Sequence, residues 1–72
     1  METSIRLKLG KRIKQLRKYR GYTQDKFSEL AKIDYKYLQK IEGKGPPNLK
    51  IETIEKIAKA LDVSVSKLLA LK

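Results

Sequence analysis

The stretch from Thr23 to Glu42, TQDKFSELAKIDYKYLQKIE, constrains the fold of this chain more than any other. Phe27, Leu30 and Ala31 recur at helical spacing on one face of a short segment, and Leu38 and Ile41 do the same on the next. Thr23 and Asp34 stand where N-caps belong, each with a side-chain oxygen able to accept from a backbone N–H one turn into its helix. Only Lys32-Ile33-Asp34 separates the two helices, so they must cross, and crossed helices on so short a turn make a helix-turn-helix. With both apolar faces turned inward, Tyr35, Lys36, Gln39 and Lys40 are left on the outer face of the second helix. That face offers donors and flat surfaces and no carboxylate, which suits the major groove of duplex DNA. An ordinary helical hairpin with a wet, basic face would carry the same pattern.

Charge favours the first reading. Eighteen Lys and Arg against eight Asp and Glu give +10 over 72 residues, which points to polyanions as partners. A membrane-surface peptide would also be basic, but as one long helix with a bulky apolar face rather than several capped segments. No apolar run reaches membrane-spanning length, and the charged N-terminus lacks the apolar centre of a signal peptide. The expectation is a single domain, residues 1–72, soluble and cytoplasmic, near the lower size limit for folding without metals or disulfides.

The chain has neither His nor Cys, so acid–base or nucleophilic work would fall to scattered Asp, Glu, Lys, Tyr or Ser. No metal-ligand spacing or phosphate-cradling glycine loop is present in the sequence. The chain reads as no enzyme, with no catalytic, metal or cofactor site and no small-molecule ligand.

Around the central pair the pattern stays helical. Residues 4–20 form a first helix with Ile5, Leu9, Ile13 and Leu16 inward, Ser4 as its cap, and Gly21 in the left-handed position that ends it. Gly10 inside that helix costs about 1 kcal/mol against Ala; close approach of another helix is the usual reason, a tolerated weakness the alternative. Gln24 lies at the first turn of helix two, where its amide can reach a phosphate beside the free N–H groups. After helix three, Gly43 to Asn48 is a run of breakers and must be a loop. The fourth helix runs from about Lys50 to Leu61 with Ile51, Ile54, Ile57, Ala58 and Leu61 inward, capped by Asn48 or begun at Lys50. Asp62-Val63 turns the chain, and Ser64 caps a last helix to about Ala70. Val63, Val65, Leu68, Leu69 and Leu71 make this end more apolar than so short a helix needs, which suits a subunit contact more than plain core, though a single chain would bury some of them. The fold class is all-α, a compact five-helix bundle.

With those residues in view, the chain resembles the phage-repressor-like helix-turn-helix family, often called Cro or XRE, from about Leu9 to Leu69. The resemblance rests on Leu9-Gly10-Lys11-Arg12-Ile13-Lys14-Gln15-Leu16-Arg17, Gly21-Tyr22-Thr23-Gln24, Tyr37-Leu38-Gln39-Lys40-Ile41-Glu42 and Ile54-Glu55-Lys56-Ile57-Ala58-Lys59-Ala60-Leu61. Within the family, the short length and Pro47-Asn48-Leu49 look most like the controller proteins of restriction–modification systems.

The resemblance implies a lambda-repressor-like DNA-binding fold and a homodimeric transcription regulator on double-stranded DNA, with a (pseudo)palindromic operator. Gln24 matches a glutamine that bonds a DNA phosphate and braces the recognition helix. Asp34, Tyr35, Lys36 and Lys40 match positions that reach base edges or the adjoining backbone. Tyr37 matches a tyrosine packed beside the backbone, and Lys44 lies near a loop that contacts the next phosphates. Arg17 and Glu42 match a structural salt bridge that sets the angle of the recognition helix. Three features depart from the family pattern. Lys32 stands where glycine is favoured, Asp34 where Ser or Thr is common, and the loop before helix four is one residue longer than the commonest pattern. A prophage repressor, or an antitoxin or co-regulator whose main task is a protein partner, are the competing readings.

Overall fold

The computed structural model describes residues 4–71; the outermost ends of the expected domain, residues 1–3 and 72, lie outside the described residues. Five helices follow in order: α1 (Ile5–Tyr19), α2 (Gln24–Ala31), α3 (Tyr35–Ile41), α4 (Ile51–Ala60) and α5 (Val65–Leu68). No strand occurs among the described residues.

Four of the five helices begin on a side-chain oxygen. Ser4, Thr23, Asp34 and Ser64 each accept from a backbone N–H two or three residues ahead, satisfying donors that the helix cannot. The exception is α4. It starts directly after Lys50, which has no acceptor to offer, and Asn48 stands too early to cap it.

Three helices end in the same motif. Beyond α1, the N–H of Tyr22 donates to the Arg17 carbonyl and that of Gly21 to the Lys18 carbonyl. Ile33 and Lys32 repeat the pair at the end of α2, and Val63 and Asp62 at the end of α4. Each motif needs one residue in the left-handed region: Gly21 at φ 77°, Lys32 at φ 57° and Asp62 at φ 57°. Glycine adopts that backbone freely. The lysine and the aspartate do so at a steric cost.

The helices close around Ile13, Phe27, Leu38, Ile41, Ile57, Leu61 and Leu68, all fully buried. Burial of each such side chain stabilises by about 1.5–3 kcal/mol. The pair α2–α3 packs crosswise, α2 also lies on α4, and α5 bridges α4 and α1. Gly10 explains how α1 reaches α3: a Cβ there would run into the backbone carbonyl of Ile41. The glycine therefore permits a backbone-to-backbone approach, as the sequence suggested.

Three residues expected inside are outside. Ile5 is 71% exposed, Ile51 63% and Leu30 43%. Ile5 and Ile51 are the first residues of their helices. Leu30 borders a shallow surface shared with Tyr22, Lys56 and Lys59, between α2 and α4. The last helix is also shorter than expected, ending at Leu68 rather than Ala70.

Candidate nucleic-acid interface

The outward surface of α3 is built by its two ends. At its start, Asp34 Oδ2 accepts from the N–H groups of Lys36 (3.0 Å) and Tyr37 (3.3 Å). This fixes the first turn, with Tyr35, Lys36, Gln39 and Lys40 all exposed. Tyr37 turns the other way, half-buried against the core beside Leu38. Lys44, in the loop after α3, is exposed.

At the far end of α3, Glu42 anchors the helix to the rest of the chain. Its Oε2 accepts from Arg17 Nε (2.8 Å) and its Oε1 from Arg17 Nη2 (2.9 Å), a two-pronged ion pair. The remaining terminal nitrogen of Arg17, Nη1, donates to the Tyr22 carbonyl at 2.7 Å. Both charged side chains are nearly inaccessible, so neither could be buried without the other. One arginine thus joins α1, the turn leading into α2, and the end of α3.

Gln24 completes the cluster. Its Nε2 donates to Glu42 Oε1 at 3.1 Å, so the first residue of α2 is tied to the last turn of α3. Residue patterning alone did not anticipate this bond, nor the one to the Tyr22 carbonyl. Gln24 and Glu42 lie far apart in sequence and meet only once α2 and α3 have packed, while the bond to the Tyr22 carbonyl depends on the turn that ends α1.

The apolar residues expected at a subunit contact divide. Leu68 is the inward residue of α5 and is fully buried within one chain, which removes it from any contact surface. Val63, Val65 and Leu71 are half-buried against the same core, while Leu69 is 37% exposed. Leu69 and the exposed Ile5 border an apolar groove floored by Leu9, Leu49, Pro46 and Pro47. The basic charge is dispersed and largely unpaired. Besides Arg17–Glu42, the described residues hold one further ion pair, a loose and exposed contact between Arg20 and Asp62.

Five short helices with the second and third crossed on a three-residue turn, and no strand among the described residues, define a helix-turn-helix protein of lambda-repressor-like fold. The chain belongs to the helix-turn-helix domain family of Cro/XRE type, matching it over residues 10–72. It is 43% identical over 61 residues to the HTH-type transcriptional regulator SinR of Bacillus subtilis, a match covering 85% of this chain and 55% of SinR. The chain therefore spans about half the length of the curated relatives it matches. Among solved structures, the restriction–modification controller protein C.AhdI from Aeromonas hydrophila superposes with a TM-score of 0.82 at 32% identity, covering 88% of this chain and 94% of that one. SinR crystallised in complex with DNA superposes at 0.79 with 43% identity, covering 85% and 97% respectively.

Proposed function

We propose that this protein is a sequence-specific regulator of transcription that binds duplex DNA as a homodimer on a (pseudo)palindromic operator, in the manner of a restriction–modification controller. The observation that carries the reading is the outer face of α3. Tyr35, Lys36, Gln39 and Lys40 are exposed side by side on a helix braced at both ends by Asp34 and by the Arg17–Glu42 pair. A recognition helix must be held rigidly, because base contacts discriminate only if the donors arrive at fixed positions.

In this reading α3 enters the major groove. Lys36 and Lys40 supply charge and reach base edges or phosphates, Gln39 offers an amide suited to adenine, and Tyr35 a flat donor surface. Gln24, at the start of α2, meets a backbone phosphate, with Tyr37 and Lys44 alongside neighbouring phosphates. The resemblance to a controller protein and to a DNA-bound SinR supports this assignment. Dimerisation would use the apolar surface around Leu69, with Val63, Val65 and Leu71 at its edge, and place two α3 helices about 34 Å apart.

Selection from a random duplex pool at near-physiological salt tests the reading. The expected product is a motif with two-fold symmetry and half-sites about one helical turn apart. Enrichment of nothing would leave the +10 charge to non-specific binding. The apolar groove beside Leu69 then favours a protein partner as the main target. Complexes of that kind would be insensitive to moderate salt, whereas DNA binding falls steeply with it.

A further inference from the structure

We infer that Asp34 is a specificity-determining residue that selects a C·G pair, with cytosine at the base it faces, and rejects guanine there; this rests on the DNA-reading role proposed above. Asp34 is the one carboxylate exposed at the reading end of α3. Glu42, the other acidic residue of the helix-turn-helix close to α3, is consumed by Arg17 and Gln24.

The two oxygens of Asp34 have different fates. Oδ2 accepts both capping bonds, from the Lys36 and Tyr37 N–H groups. Among the described residues Oδ1 takes part in no hydrogen bond, and no Lys or Arg forms an ion pair with the carboxylate. The cap therefore does two things. It locks the orientation of the side chain, and it leaves one charged oxygen, without a proton to donate, at the end of the helix where recognition helices meet base edges.

Such an oxygen can only be satisfied by a donor. In the major groove guanine presents N7 and O6, both acceptors, and thymine presents O4 and a methyl group. Cytosine presents the N4 amino group with only a C–H beside it. Adenine has its N6 amino group, but N7 lies next to it and repels a second acceptor. Cytosine is the base with an unopposed donor. The same charge is unfavourable beside a phosphate, so Asp34 contributes by exclusion as much as by attraction.

The test uses the full chain and duplexes that vary one column of the selected half-site through all four bases, with wild type, Asp34→Asn and Asp34→Ser. Asn and Ser both remain good N-caps, so the helix start survives, and thermal melting verifies that each variant folds. Wild type should prefer cytosine over guanine at one column by about tenfold or more, the cost of one mismatched pair. Asp34→Asn should bring guanine to within about twofold of cytosine at that column while the other columns keep their preferences. An unchanged ranking in both folded variants would show that Asp34 is a cap only and overturn this inference, leaving the DNA-reading role intact. A wild-type protein that enriches no motif would overturn both together.

Discussion

Gln24 and Arg17 share a single acceptor: the Glu42 Oε1 atom takes a hydrogen bond from the amide of one at 3.1 Å and from the guanidinium of the other at 2.9 Å. The first residue of α2 and the residue that ends α3 are therefore joined through one atom. In the DNA-binding reading proposed above, a backbone phosphate that fixes Gln24 also fixes the end of α3.

Breaking that unit at one point should be costly. Glu42→Ala strands a buried guanidinium, and an expected loss of about 3–5 kcal/mol follows from leaving one charge of a buried pair uncompensated. Replacing both, as Arg17→Met with Glu42→Leu, should cost clearly less than the Glu42→Ala change alone. Urea denaturation of Arg17→Met, Glu42→Leu and the double variant measures the coupling.

Gly10 gives a prediction whose sign opposes helix propensity. In an isolated helix Gly10→Ala would gain about 1 kcal/mol. Here the added methyl meets the backbone carbonyl of Ile41, which cannot rotate away as a side chain would. A net loss of about 1–3 kcal/mol is expected, the range for an overpacked site, read as a lower melting temperature.

Lys32 carries the opposite expectation. Its φ of 57° is strained for a lysine, and the side chain is exposed, so Lys32→Gly should remove the strain without opening a cavity. A gain of up to about 1 kcal/mol is expected by thermal melting. The gain at Asp62→Gly should be smaller, because aspartate tolerates the left-handed region better than lysine.

The two adjacent leucines of the C-terminal segment should behave differently. Leu68→Ala empties a fully buried position and should cost about 2–5 kcal/mol of stability. Leu69→Glu places a charge on the exposed residue and should leave the fold intact. On the proposed dimeric reading, wild type should sediment as a dimer and the folded variant as a monomer; a folded variant that sediments as wild type would overturn the assignment of the dimer contact to Leu69.

Much of this architecture is legible in the residues because it is local. N-caps at Ser4, Thr23, Asp34 and Ser64 follow from neighbours in sequence, and Gly10 signals a close approach without naming its partner, Ile41; the special turn position of Lys32 comes only from the family resemblance. What periodicity cannot give is which residues of a stripe end up covered. Ile5 and Ile51 carry the right spacing and still face solvent. The left-handed Asp62 was hidden for a different reason, since aspartate is common in turns of every kind. The bond from Gln24 to Glu42 was hidden because it joins crossing helices.

The outer face of α3 is the central claim, and comparing affinities for two duplexes tests it most directly. One carries the selected site and the other the same bases scrambled, both titrated at several salt concentrations with wild type, Lys36→Ala and Lys40→Ala. Wild type should bind the selected site about a thousandfold or more tightly over the scrambled one, and each lysine variant should lower the salt slope by about one per lost phosphate contact. Equal affinity for both duplexes, falling together with salt, would mean that α3 lends only charge, and the claim that it reads bases would be wrong.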